Sequence, residues 1–518
     1  MAKARERTSA QRQPIETELK LTFPPDAAHR LTDHPAFKPQ GANAPRSERI
    51  VSTYFDTPSH ELARRGLSLR VRAVGKRRVQ TLKSSDANGG AAMSRGEWEW
   101  PMRDRDDKPD LALAAGTPAA SRLPPDLGLQ LQPIIVTDVL RTARTLDFEG
   151  SMIEAVLDSG SIVAGDRKQP VHELELELRD GAPSALYGLA LSLHAAAPLS
   201  IEAESKAARG YRLMEEGAPT AKKATSIELD SEVAAGDGLR LIVGEILSHL
   251  LSNKSAALAG DVESVHQIRI AIRRLRSALR LFGPRLEPPA AAAFQRKLQR
   301  TGRIIGAARD WDVFCLEALP KGLGEIEELG WNHLLRESAD ARRRDADAAS
   351  AREVGGAAFT ALVLGVSAWI ESGEERMDVL GDKGLKQSLS QISADLLDRM
   401  ADKVDKRGRG IGPETSAEKL HPLRKSLKKL RYSLEFLSSI YPRKATRRYL
   451  RPLKNLQKSL GIVNDAAVAL RLADELAEER VELTIPVASL ARTDASRDAR
   501  QRLTKEWAAY RRQARFWR

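Results

Sequence analysis

At 518 residues the chain is too long for one hydrophobic core, so two to four domains are expected. Its formal charge of +13 points to a polyanionic partner such as nucleic acid, polyphosphate or an anionic membrane, while aromatics at only 5% argue against base stacking on single strands. The one cysteine, Cys315, excludes an internal disulfide and a cysteine-built metal site and suits a reducing, cytoplasmic setting, and no run of about 18 apolar residues is available to span a membrane.

Residues 1–13 are basic and polar without an apolar segment, which predicts a disordered leader and not a secretory signal. From there to about residue 211 the pattern is mainly β. Ile15-Glu16-Thr17-Glu18-Leu19-Lys20-Leu21 alternates strictly, with Glu16, Glu18 and Lys20 on one face. Residues 49–55, 66–72 and 77–83 read as strands, the second placing Arg70 and Arg72 opposite Leu69 and Val71, and the third followed by a Ser/Asp/Asn/Gly/Gly turn. Residues 95–100 set Arg95, Glu97 and Glu99 against Trp98 and Trp100. Residues 104–127, rich in Pro, Ala and Asp, predict a loop with a short helix. Strands follow at 139–148, 151–158 and 172–179, then an amphipathic helix at 184–197, and residues 200–206 are expected to close the sheet.

Strand after strand carries charge on one face and Leu, Val or Trp on the other. A sheet with one solvated face would explain any single strand. It does not explain Glu173, Glu175 and Glu177, three like charges in file that repel unless a cation sits among them. Closing the sheet with the charges inside accounts for all the strands together and predicts a barrel with a polar lumen.

After a linker at 216–237 the texture turns helical. His266, Arg269, Arg273 and Arg276 recur 155 residues later as His421, Arg424, Lys428 and Arg431, and the same offset maps Gly306 onto Gly461 and Asp310 onto Asp465. In each copy the His and cations share one helical stripe. Residues 421–458 hold twelve Lys/Arg and one acid, Glu435, so this surface calls for an anion. The fold class expected is multidomain α+β: an N-terminal antiparallel β-barrel with peripheral helices over 14–215, and a C-terminal all-α duplicated bundle over 238–518.

The first half resembles the CYTH family, the triphosphate tunnel metalloenzymes. Glu16-x-Glu18-x-Lys20 carries the resemblance, supported in order by Tyr54-Phe55-Asp56-Thr57, Leu69-Arg70-Val71-Arg72, Thr81-Leu82-Lys83, Arg95-x-Glu97-x-Glu99, Asp158-x-Gly160, Glu173 to Glu177, and Ser205-Lys206-x-x-Arg209-Gly210-Tyr211. The second half resembles the CHAD domain, a helical duplication that binds polyphosphate. The pairing is similar to inorganic triphosphatases. The resemblance implies metal-dependent hydrolysis of inorganic triphosphate to diphosphate and phosphate. Glu16, Glu18 and Lys20 would form the catalytic core. Arg70, Arg72, Lys83, Arg95, Arg141 and Lys206 would hold phosphoryl groups, with Arg141 favoured over Arg144. Mg²⁺ or Mn²⁺ suits the all-oxygen set Glu16, Glu18, Glu175, Glu177 and Asp158, with Glu97 and Glu99 behind them. His266, Arg269, Arg273, Arg276, His421, Arg424, Lys428 and Arg431 would bind long-chain polyphosphate, which would bring the chain to polyphosphate granules.

Cys315 is expected as an apolar side chain, His60 and His249 as structural or exposed, and the two tryptophans as packing outside the barrel. Thiamine triphosphate hydrolysis, ATP cyclisation, a non-catalytic polyphosphate binder and a nucleic-acid binder are the competing functions. Nucleic acid is disfavoured, no membrane is expected, and oligomeric state is left open.

Overall fold

The computed structural model describes residues 15–37, 46–84, 93–103, 107–123, 127–214, 219–286, 288–320, 331–372, 383–479 and 494–518. The expected leader and the turn after the third strand lie outside the described residues. The chain divides into two compact units, Met1–Gly217 and Ala218–Arg518.

The first unit is a single antiparallel sheet. Its strands are β1 (Ile15–Thr22), β2 (Arg46–Asp56), β3 (Leu67–Val74), β4 (Arg77–Ser84), β5 (Met93–Met102), β6 (Gln132–Phe148), β7 (Ser151–Ala164), β8 (Arg167–Asp180) and β9 (Ser200–Ile201). They run in the order β5-β4-β3-β2-β6-β7-β8-β1-β9, and β1 also pairs with β5, so eight strands form a hydrogen-bonded ring. The closure falls between Ile15↔Gly96 and Glu18↔Met93. It is not made by residues 200–206, as the sequence predicts. There β9 only extends β1, and Lys206 already opens a helix.

Period-two alternation sorts the side chains. Leu19, Leu21, Leu174 and Leu176 are fully buried on the outer face, beside helix α1 (Pro183–Ala196), which packs on β8. The outer face of β3–β5 is covered by short turns of helix at Leu111–Gly116 and Pro118–Arg122. There Leu67, Leu69 and Leu82 form a core with Trp98 and Trp100, so the tryptophans pack outside the barrel as expected. Helix α2 (Lys206–Met214) lies against β6, β7 and β8, and its Ala207, Tyr211 and Leu213 pack with Ile50, Tyr54, Ile135 and Val139. Gly210 permits that approach, since a Cβ there would stand 2.6 Å from Ile135. The Tyr211 hydroxyl donates to Asp56 Oδ2 at 2.6 Å and ties the helix to the end of β2.

The second unit is helical: α3 (Ala235–Ser252), α4 (Val262–Leu281), α5 (Pro288–Val313), α6 (Trp331–Gly355), α7 (Ala357–Glu371), α8 (Leu389–Arg407), α9 (Ala417–Phe436), α10 (Arg443–Glu479) and α11 (Asp494–Arg511). The duplication is visible in the helix starts. α9 begins 155 residues after α4 (417 against 262), and α10 begins 155 after α5 (443 against 288). The caps repeat too: Asp261 accepts from the Ser264 N–H, and Ser416 accepts from the Lys419 N–H. α4 and α9 pack on one another. Part of the expected linker belongs to this unit, because the Leu229 N–H donates to Ser439 Oγ at 2.8 Å and Ala234 bridges Ser388. No single described helix is long and apolar enough to cross a membrane.

Candidate active site and cationic helical surface

The barrel encloses a cavity of about 600 Å³. Glu18, Lys20, Arg70, Arg72, Lys83, Arg141, Asp158, Glu175, Glu177 and Lys206 all line it, and Glu97 and Glu99 join them. Glu16 and Arg95 stand opposite one another in the β1–β5 ladder; their side chains lie outside the described part. Arg144, three residues from Arg141, is not among the lining residues.

Register arranges the charges in tiers. Glu18 stands opposite Glu177, and Glu177 opposite Glu154. The next inward tier sets Lys20 opposite Glu175, and the one below it sets Glu173 opposite Asp158 and Asp158 opposite Arg141. Three carboxylates in one cross-strand row repel. Arg179 bridges Glu154 and Glu177, and the Lys20 ammonium holds Glu18 at 2.8 Å. Glu154 and Arg179 were not singled out from the sequence. The signal was available, since Glu154 shares strand parity with Asp158, and Arg179 with Glu177.

Asp158 and Glu175, expected among the metal ligands, are engaged otherwise. Asp158 is fully buried, and both its oxygens are taken by Arg141 at 2.7–2.8 Å and Lys206 at 2.9 Å. Glu175 Oε1 receives Lys20 at 2.8 Å and Lys206 at 2.9 Å, and its Oε2 receives Arg141 at 3.1 Å. Burial pushes the Glu175 carboxyl up, but those three cations outweigh it and hold it well below the usual range. Both acids hold cations here, as Glu18 and Glu177 also do. Glu173, which the strand pattern left equivalent to its neighbours, sits fully buried beneath the cavity on Lys206 (2.7 Å) and Arg209 (2.5 Å).

The other wall is short of anions. Arg70 reaches Glu97 at 3.4 Å and Arg72 reaches Glu99 only at 3.9 Å, while the buried Nε of both arginines makes no hydrogen bond. Arg70 first, then burial, lowers Arg72 to about 10. A guanidinium pushed that far down is one that an added anion would relieve.

Among the described residues no three His, Cys, Asp or Glu side chains already converge on an ion position. The row Glu18–Glu177–Glu154 still offers only hard carboxylate oxygens, which is the donor chemistry of Mg²⁺ or Mn²⁺. An ion held there would take the place of the Lys20 and Arg179 contacts.

In the helical unit the two stripes meet. Arg269 donates to Gly306 O at 2.9 Å and Asp310 at 2.8 Å, and its repeat mate Arg424 pairs with Asp465 at 3.5 Å. Lys428 is driven down to about 6, by burial first and then by Arg273, Arg424 and Arg269. Arg276 and Arg431 diverge from this cluster, to Gln299 and to the Tyr432 ring with Glu435. Burial, with Arg309, lowers His266 to about 4; His421 Nδ1 lies 3.1 Å from Asn464 Oδ1. His249 is bound to Lys222 O and Gln267, and His60 packs edge-on to Tyr211. Burial, then Asp340, lifts the half-buried Cys315 thiol to about 12, which removes it as a nucleophile.

A charged-lumen barrel followed by a duplicated cationic bundle defines a two-part architecture, a β tunnel and a helical duplication. Residues 14–211 match the model of the CYTH domain and residues 241–474 that of the CHAD domain, so the chain is a CYTH domain followed by a CHAD domain. It is 34% identical over 164 residues to an inorganic triphosphatase from Haemophilus influenzae, covering 32% of this chain and 46% of that protein. The chain thus spans less than half the length of that curated relative. Among solved structures, a CHAD domain from the plant Ricinus communis aligns with 30% identity over 57% of this chain and 98% of its own, at a TM-score of 0.48. The Hippeastrum protein HpAC1, described as having a dominant triphosphatase activity, aligns at 19% identity over 38% of this chain and 95% of its own, with a TM-score of 0.29.

Proposed function

We propose that the barrel hydrolyses inorganic triphosphate to diphosphate and phosphate with Mg²⁺ or Mn²⁺, and that the helical unit binds polyphosphate. One observation carries the first part. A single cavity sets arginines with unused donors, Arg70 and Arg72, together with an oxygen-only row, Glu18–Glu177–Glu154. The described lining holds seven acids and seven bases, so the tunnel's own charges balance. A triphosphate therefore enters favourably only with cations of its own, which supports metal dependence.

Arg70 and Arg72 suit bidentate contact with phosphoryl oxygens, while Lys83, Arg141 and Lys206 act as further fixed charges. Glu175 and Asp158 hold Arg141 and Lys206 in place before substrate arrives, so little reorganisation is needed as charge develops on the leaving diphosphate. Lys20, between Glu18 and Glu175, is positioned to hold a phosphoryl oxygen once Glu18 turns to a cation. Glu18, Glu177 and Glu154, with Glu16, would hold the divalent ions. A bound ion supplies Lewis-acid charge to the phosphoryl oxygens.

Tyr54 is the only aromatic residue in the described lining, which favours inorganic triphosphate over a nucleotide or thiamine substrate. The decisive measurement is phosphate release from inorganic triphosphate, thiamine triphosphate and ATP, with and without Mg²⁺ or Mn²⁺. Inorganic triphosphate should be turned over fastest and only with metal, and Lys20→Ala should lower kcat by about 10²-fold or more. Metal-independent turnover, or full activity in Lys20→Ala, would refute the assignment.

A further inference from the structure

The helical unit has a cationic pocket separate from the cluster at Arg273 and Lys428. Its volume is about 340 Å³, and Arg280 of α4, Lys403 and Arg407 of α8, and Ser426 and Lys429 of α9 line it with Met400. No carboxylate is among its described lining residues. Arg407 is fixed on the Ser426 hydroxyl, and Ser426 itself is buried. Arg280, Lys403 and Arg407 reach solvent, which screens them, but Lys429 is half-buried beneath them.

The duplication explains why this pocket is unusual. The offset of 155 maps Arg274 onto Lys429 and Arg280 onto Glu435, so the pair Arg274–Glu435 is repeat-related to the pair Lys429–Arg280. In the first, Glu435, ion-paired to Arg431 at 3.6 Å, lends its negative charge to the surroundings of the buried Arg274, and Glu245 adds to it. In the second, cation faces cation, and Lys403, Arg407 and Arg276 add to the crowding around Lys429. One half of the duplication carries its own counter-charge and the other half leaves that place open.

We propose that this pocket binds a compact phosphoryl anion, orthophosphate or diphosphate, in the place that Glu435 fills in the other half. Donors reach the pocket from three helices, two guanidinium forks and two ammonium groups, while the Ser426 hydroxyl, itself donating to Pro422 O at 3.0 Å, steadies Arg407. A planar carboxylate is satisfied by a single guanidinium, whereas a tetrahedral oxyanion presents oxygens to all three sides. The site does not depend on polyphosphate binding at Lys428 or on catalysis in the barrel.

Site-specific acetylation of lysine amines tests this in the full chain, in phosphate-free buffer near pH 8, with labelling of Lys429 and Lys428 read by peptide mass spectrometry. Burial, then Arg280, Arg407 and Lys403, lowers Lys429 to about 8, so a share of its amine is deprotonated and open to labelling when no anion is bound. Orthophosphate or diphosphate should slow Lys429 labelling by about tenfold for each unit by which the bound anion raises the amine, with Lys428 little changed. Arg280→Glu installs the charge of the compensated half and should abolish the protection, as should Arg407→Gln if the first variant folds poorly. Three results would overturn the site: no protection by either small anion, protection of Lys429 and Lys428 together by long-chain polyphosphate alone, or full protection retained in both variants.

Discussion

Glu175 carries three cations on two oxygens, and its role follows from which partner would suffer most by its loss. Replacing it with Gln leaves Lys20, Lys206 and Arg141 facing one another inside the barrel. Breaking a buried ion pair by removing one partner costs about 3–5 kcal/mol. The Glu175→Gln protein should therefore unfold at clearly lower urea, and the kcat of the proposed triphosphate hydrolysis should fall with it. The pH dependence has a definite sign. The folded carboxyl titrates well below an unfolded value near 4.3, so its stabilisation is present above that value and is lost as pH falls through the folded one. Urea midpoints measured down the acid limb should fall steeply for the native chain and more gently for Glu175→Gln. Equal slopes would mean that the cations find other partners.

At the scale of strands and helices, α4 and α9 bring their two cationic stripes together. Lys428 is the clearest case, lowered to about 6 by burial and by Arg273, Arg424 and Arg269. Between about pH 6 and an unfolded value near 10.4 the unfolded chain binds the proton that the folded chain refuses, so stability rises with pH across that window. Lys428→Met should stabilise the anion-free protein at neutral pH and flatten that slope. A gain of about 1 kcal/mol would raise the helical transition by about 2–4 °C. The same variant should weaken long-chain polyphosphate binding in a direct titration; unchanged affinity would remove Lys428 from the anion site. The repeat itself was legible because an offset of 155 survives in His, Arg, Gly and Asp positions and in the helix starts. The crowding was not, because it depends on α4 meeting α9. In the barrel, parity told which residues face inward, and the cavity lining agrees for Lys20, Arg70, Arg72 and Lys83. Parity could not rank Glu173, Glu175 and Glu177, which share a face but lie at different depths. Closure was misassigned because β1 and β5 are some eighty residues apart, while the stretch expected to close the sheet, 200–206, yields only the short β9 before a helix begins at Lys206.

For the whole chain, the question is whether the two units are thermodynamically separate. Each has its own core. Ile50, Ile135, Val139 and Val171 belong to one in the barrel, and Trp311, Phe314, Leu335 and Leu472 to one in the bundle. Each unit is also large enough to bury most of its apolar surface alone. Calorimetry of the full chain should therefore show two transitions, and the two substitutions argued above identify them. Glu175→Gln should lower one and leave the other in place, whereas Lys428→Met should raise only the second. Activity should divide in the same way. Glu175→Gln should depress triphosphate hydrolysis without changing polyphosphate affinity, and Lys428→Met should do the reverse. A single transition moved by both variants would show that the barrel and the bundle unfold as one body. Loss of hydrolysis in Lys428→Met would show that the helical cations take part in the barrel's reaction.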